Sequence, residues 1–336
     1  MLNGIEKSCI MFIGFCLCKC VEEEQMAMTV YFGKVNLNSD HIYRVYSDDL
    51  KIKQIMLEVL INFKDGMQHF EEYTYIGEDG EIHNNTIEYS VYLREKTDTY
   101  IRGRLDKKSR LFYKEKNPIT RELENKSITN TDAIEFYFDV FNEMVGYNTS
   151  IRFGHKKFLK IFAEILNEEM KSAGKDYTFT VNRYTSGIDI VDLYKELKRI
   201  DGIQRLSFTF KPVNPDTEIL KSIHDNGKDR LEDFEEANLS SKSILLTSSS
   251  KLGLNIDSKI VREALDEVDN LQRDVSAKKA IKNGYAKVEV TGRDGITRST
   301  EDVAPVRRKI RNLSEFVKAC EDVIRKRNSG TNETEV

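Results

Sequence analysis

Between Lys278 and Arg327 the chain carries fourteen Lys and Arg residues against seven Asp and Glu. The whole molecule has a formal net charge of −4, so this segment locally inverts the sign of the protein. Arg307-Arg308-Lys309 and Arg311 lie just before an expected helix, and Arg293 sits at an expected hairpin tip. Cations in such places can reach phosphates without reading bases. Lys278, Lys279, Lys282, Arg293, Arg298, Arg307, Arg308, Lys309 and Arg311 are therefore the candidate DNA contacts. The competing reading is a solvated charged face with acids nearby. A second cluster, Arg152, His155, Lys156 and Lys157, sits where a helix should begin. Cations there oppose the helix dipole, which points to an anion as a second candidate ligand of Arg152, Lys156 and Lys157.

Catalytic spacings are missing. The chain has no Gly-x-x-x-x-Gly-Lys-Ser/Thr loop, no Gly-x-Gly-x-x-Gly after a strand, no His-Glu-x-x-His helix and no Gly-x-Ser-x-Gly elbow. Its five histidines are scattered singly and read as surface or packing residues. A metal-dependent nuclease needs an Asp and a Glu-x-Lys converging on a divalent ion. Asp139 fits the first part, but Glu95 and Lys96 are adjacent rather than spaced by one. The expectation is a protein without catalytic residues, metal or cofactor. A divergent nuclease and a protein–protein interaction subunit that touches no nucleic acid are the alternatives. In Glu135-Phe136-Tyr137-Phe138-Asp139 the alternating aromatics could stack on bases. No base-binding cation accompanies them, so Phe136 and Phe138 read as a core face.

The elements that must position these residues follow from periodicity. Thr29 to Val35 is a β-branched and aromatic run. Lys51 to Phe63 has helical spacing. Strands are expected over Glu71–Ile76, Glu88–Arg94, Thr99–Leu105, Arg110–Tyr113 and Ala133–Val140. The stretches Gly77-Glu78-Asp79-Gly80 and Asp106-Lys107-Lys108-Ser109 read as turns. Beyond residue 150 helices and strands alternate. Helices are expected over His155–Lys171, Ile188–Ile200, Asp216–Ala237, Asp257–Lys282 and Leu313–Arg325. Strands are expected over Tyr177–Tyr184, Arg205–Lys211 and Ser243–Thr247, with a hairpin of Ala286–Val290 and Ile296–Ser299. This gives an α+β fold. A mostly antiparallel sheet domain over 28–148 precedes a domain over 149–327 with helices packed on a mixed sheet. Residues 1–27 are expected to form an extension outside the core and 328–336 a disordered tail.

Cys9, Cys16, Cys18 and Cys20 crowd that extension, in a spacing that suits neither a zinc knuckle nor a redox pair. The apolar run Cys9 to Cys18 is too short to span a bilayer, which takes roughly 20 residues. A cytoplasmic protein is expected, with Met26 or Met28 as a candidate natural start.

The strand Ala286-Lys287-Val288-Glu289-Val290, the turn Arg293-Asp294-Gly295-Ile296, a second strand and the helix around Phe316 to Ile324 follow a recognisable order. Upstream, Ile188 to Lys211 ends in Phe208-Thr209-Phe210-Lys211-Pro212. This arrangement resembles the RexA-like phage-exclusion proteins, whose fold is related to RdgC, a DNA-encircling recombination regulator. The resemblance implies non-specific DNA binding, a homodimer and sensing of phage replication complexes. It also implies action on a membrane partner, and a membrane or ATPase partner protein is the expected partner.

Overall fold

A computed structural model describes residues 28–47, 49–76, 81–214, 234–269 and 276–328. The fold is α+β, and its pivot is the first strand, β1 (Met28–Leu37). One edge of β1 pairs with β6 (Met144–Tyr147) through residues 31–34. The other edge takes two strands in succession. β12 (Arg307–Ile310) pairs with residues 28–31, and β7 (Phe179–Arg183) with residues 33–37. Beyond β6 the sheet continues through β5 (Leu123–Asp139), β4 (Tyr100–Lys116), β3 (Ile82–Lys96) and β2 (Gln68–Ile76). A second sheet of four strands runs β11 (Thr297–Ser299), β10 (Ala286–Thr291), β8 (Arg205–Phe210), β9 (Lys242–Thr247).

Short helices α1 (His41–Tyr46) and α2 (Ile52–Asn62) and the longer α3 (His155–Ser172) cover one face of the large sheet. In α3, Phe158, Leu159, Phe162, Ile165 and Leu166 recur at three- and four-residue spacing, and all are buried. The helix comes so close to β1 that a Cβ on Gly33 would meet Leu159 Cδ2 at 2.7 Å. The opposite face is covered by α7 (Phe316–Asn328), which buries Phe316, Cys320 and Ile324 against Val30, Phe32 and Tyr137. Helices α4 (Ile190–Lys198), α5 (Lys259–Asp269) and α6 (Ala277–Lys282) accompany the second sheet.

Several expectations need correction. Every pairing in both sheets is antiparallel, so the C-terminal sheet is not mixed. The alternation of helices and strands suggested a mixed sheet, but β9 and β10 flank β8 and both run against it. The division at residue 148 is not a division between sheets. The large sheet recruits α3, β7, β12 and α7 from the C-terminal half, through long-range pairings that local patterning does not encode. Asp106 to Ser109 is no turn and lies inside β4, whose charged residues are those of a solvated ribbon. The reversal comes at 117–122, where Asn117 Oδ1 accepts from the backbone of Ile119 and Thr120. The helix expected over 257–282 is two, α5 and α6. Arg307 to Lys309 form strand β12 rather than a helix entry. The first turn, 77–80, and the N-terminal cysteines lie outside the described residues, as does nearly all of the expected helix 216–237. Phe136 and Phe138 are fully buried, as their alternation required.

One half-buried junction makes the fold acid-sensitive. Glu71 on β2 accepts from Lys157 Nζ at 2.5 Å, Lys160 Nζ at 2.9 Å and the Tyr89 hydroxyl at 2.9 Å. Burial alone would raise its pKa, but these three donors outweigh it and hold the carboxyl at about 2 instead of 4.5. The folded state therefore binds its proton less readily than the unfolded chain. The stabilisation is complete above pH 4.5 and is lost as pH falls towards 2. Glu71→Gln is expected to lower the melting temperature at pH 7, with the gap to wild type closing through this window. A gap that stays constant with pH would contradict the assignment.

Candidate nucleic-acid interface

The basic edge strand forms because Met28 to Tyr31 present a free β edge to residues 307–310. Arg307 pairs with Tyr31, Arg308 with Val30 and Lys309 with Thr29. Strand alternation then separates the side chains. Arg307 and Lys309 are exposed, Arg308 is half-buried on the α7 side, and Ile310 is buried in the core beneath α7. Arg311 follows, exposed, with its backbone N–H held by Glu315 Oε2 at 3.0 Å. Among the described residues none of these four cations has a carboxylate partner. Three successive positive side chains and a fourth beyond them therefore stand at the rim of the sheet without an ion-pair partner among the described residues, with the Glu315 carboxylate against the Arg311 backbone.

Two further cations are gathered beside this strand by one ring. Tyr184 is fully buried, and its carbonyl accepts from the Val306 N–H immediately before β12. Lys282 of α6 lies 5.2 Å from its ring centroid and Arg327 of α7 lies 6.0 Å from it. Residues distant in sequence are thus brought together, and cation–π attraction offsets part of their repulsion. Lys278 and Lys279 lie on the same short helix as Lys282.

On the α3 side, the guanidinium of Arg183 stands 5.6 Å from the Tyr31 ring, and His155 meets that ring edge-on at 4.1 Å. Arg183 Nη1 is 3.5 Å from Asp302 Oδ1, while its buried Nε has no partner. Burial, then the positive charge of Arg183, push the His155 pKa down to about 4, against the opposing pull of Asp302. The imidazole is therefore neutral at pH 7. Because its folded pKa lies below 6.5, its contribution to stability is present above that pH and is lost as pH falls towards 4. A proton NMR titration should place the His155 midpoint near 4, and Arg183→Gln should raise it. A midpoint that Arg183→Gln leaves unchanged would remove Arg183 as a contributor.

The nine expected contacts do not form one patch. Arg293 and Arg298 line a groove of about 1050 Å3 between α4 and the β10–β11 hairpin. There each cation is matched. Arg293 lies 3.5 Å from Asp201, Arg298 lies 2.7 Å from Asp294, and Lys195 lies 2.8 Å from Asp192. Arg199 pairs with Glu196. Arg293 also donates to the carbonyl of Lys251. A phosphate would gain little at this hairpin tip, so these two residues separate from the β12 group. In the second cluster, Lys157 is committed to Glu71. Arg152 and Lys156 stay exposed beside Gly154, the residue that opens α3 without a side-chain cap.

The carboxylates considered for a nuclease are also engaged. Asp139 accepts from the backbone and side-chain nitrogens of Asn142. Glu95 accepts from the Tyr100 hydroxyl at 2.7 Å, and Lys96 donates to the carbonyls of Ile61 and Phe63. No three His, Cys, Asp or Glu residues among those described come together as a metal site. Sequence reasoning missed Arg183 and Tyr184, because a single Arg-Tyr at the end of a five-residue strand carries no pattern of its own.

Fold and site define a two-sheet α+β protein with a basic, unpaired sheet edge. The chain belongs to the family described as a domain of unknown function, DUF4747, whose match covers residues 81–318. No curated protein matches it. Among the described residues no helix is long and apolar enough to cross a membrane.

Proposed function

We propose that the protein binds the phosphate backbone of duplex DNA with little sequence preference, without catalysis of its own. The observation that carries this reading is the set Arg307, Arg308, Lys309 and Arg311, adjacent and without carboxylate partners among the described residues. Lys282 and Arg327, held on the ring of Tyr184, extend the same positive region. Unpaired cations in a row release condensed counterions from a polyanion but contact no base edges, which gives affinity without sequence choice. The likeness of the C-terminal half to RexA-like proteins supports a role in phage exclusion, as a homodimer acting on a membrane partner.

The test is fluorescence anisotropy with a short labelled duplex over a range of salt. Phosphate contacts by these four cations would contribute about −3.6 to the slope of log affinity on log salt. No binding at about 50 mM salt would overturn the reading.

A further inference from the structure

The longest hairpin among the described residues separates its charges by face. From Lys108 to Lys116, β4 pairs with β5 from Thr131 back to Leu123 without a register break. Past the Glu88–Lys108 pair, β3 no longer accompanies β4, and the two strands continue as a ribbon. Residues directly opposite each other share a face. One face therefore carries Lys108, Arg110, Phe112, Lys114 and Lys116, set against the uncharged Thr131, Thr129, Ser127, Asn125 and Leu123. The other face mixes Lys107 and Lys126 with Asp132, Glu115 and Glu124. Lys126 is paired with Glu115 on that mixed face. On the basic face Lys108 lies 3.5 Å from Glu88. Arg110, Lys114 and Lys116 are exposed and have no acidic partner among the described residues.

A solubilising surface has no need to sort its charges by face, and the cations Lys108, Arg110, Lys114 and Lys116 are all exposed. Every second residue along a strand advances about 6.8 Å, a step similar to that between successive phosphates of one nucleic-acid strand. The two strands lie about 4.8 Å apart, and the major groove of B-form DNA, about 12 Å wide, admits a two-stranded ribbon. The corresponding groove of A-form RNA is too narrow and deep for side chains to read. Phe112, 47% exposed among the cations, packs its ring 5.1 Å from that of Tyr75 on β2, so that part of this face is braced by the neighbouring hairpin.

We infer that the β4–β5 ribbon is a second DNA site, which docks in the major groove of a duplex with its Lys108–Lys116 face towards the DNA. The inference rests on the duplex-binding reading but names different residues, so the two can fail separately. The test compares Arg110→Gln/Lys114→Gln/Lys116→Gln with Lys126→Gln on the opposite face, both checked by circular dichroism for unchanged secondary structure. Three lost phosphate contacts should reduce the magnitude of the salt slope by about 2.7. Lys126→Gln should leave it unchanged. Wild-type protein should protect guanine N7 from dimethyl sulfate, and the ribbon variant should lose that protection.

An unchanged slope in the ribbon variant, or an equal loss from Lys126→Gln, would overturn the inference. So would unchanged N7 reactivity in the wild-type complex. Binding to anionic phosphatidylserine vesicles that the ribbon variant loses, with its duplex affinity intact, would assign the face to membranes instead. If the ribbon variant weakens binding while β12 substitutions do not, the ribbon stands and the edge-strand reading falls.

Discussion

Replacing Arg307, Lys309 and Arg311 with Gln is expected to remove about 2.7 decades of duplex affinity at 0.1 M salt, measured against 1 M, where counterion release contributes nothing. The figure follows from three phosphate contacts, each worth about 0.9 in the slope of log affinity on log salt. These three are chosen because they are exposed, whereas Arg308 is half-buried on the α7 side and its loss would also disturb packing. Their backbone roles survive the change. β12 pairs with β1 through main-chain hydrogen bonds, and Arg311 meets Glu315 through its N–H. The melting temperature should therefore stay near that of wild type while the slope falls. Arg293→Gln/Arg298→Gln is the internal comparison. Both of its cations already face carboxylates, so they should release few counterions and change the slope little. Equal losses from the two variants would mean that net charge, not the unpaired edge, governs binding.

The sequence made the local elements legible wherever one face is buried. Thr29 to Val35, the α3 stripe and the alternation of Phe136 and Phe138 all became what their periodicity implied. Two kinds of information were not local. Strand partners at great separation, such as Met28 with Ile310, leave no trace in either segment, so the C-terminal half was read as self-contained. The ribbon failed for another reason. Arg102, Arg104, Lys108, Arg110, Lys114 and Lys116 recur at even positions, a clear period of two. Strand recognition leans on apolar residues at that period, and here the repeating residues are cations. Asp106 to Ser109 consequently looked like a turn. The basic C-terminal segment was visible as composition, but its division was not. Only contacts separate Arg307, without an acid, from Arg293, which has one.

Phe162→Ala is expected to cost about 3–5 kcal/mol, the range for truncating a large buried aromatic. Phe162 is fully buried at the centre of a ring cluster, with centroids at 6.0 Å from Phe63, 5.4 Å from Phe136, 5.5 Å from Phe138 and 5.6 Å from Phe158. These partners come from the end of α2, from β5 and from α3 itself. Truncation therefore opens a cavity where three elements meet, and none can close it without moving the other two. Lost transfer energy, the residual cavity and the aromatic contacts all act in one direction. Urea unfolding should show a lower midpoint, and Phe162→Leu, which keeps most of the apolar volume, should lose much less. The effect also reaches the basic surface. Phe162 seats α3 on the sheet, and the first turn of α3 holds His155 against Tyr31, next to Arg183. In Phe162→Ala the His155 midpoint should rise from about 4 towards its ordinary value of 6.5, because loosened packing readmits water. A midpoint that stays near 4 while stability drops would show that the first turn of α3 is held by Tyr31 and Tyr147 alone, independently of the core beneath it.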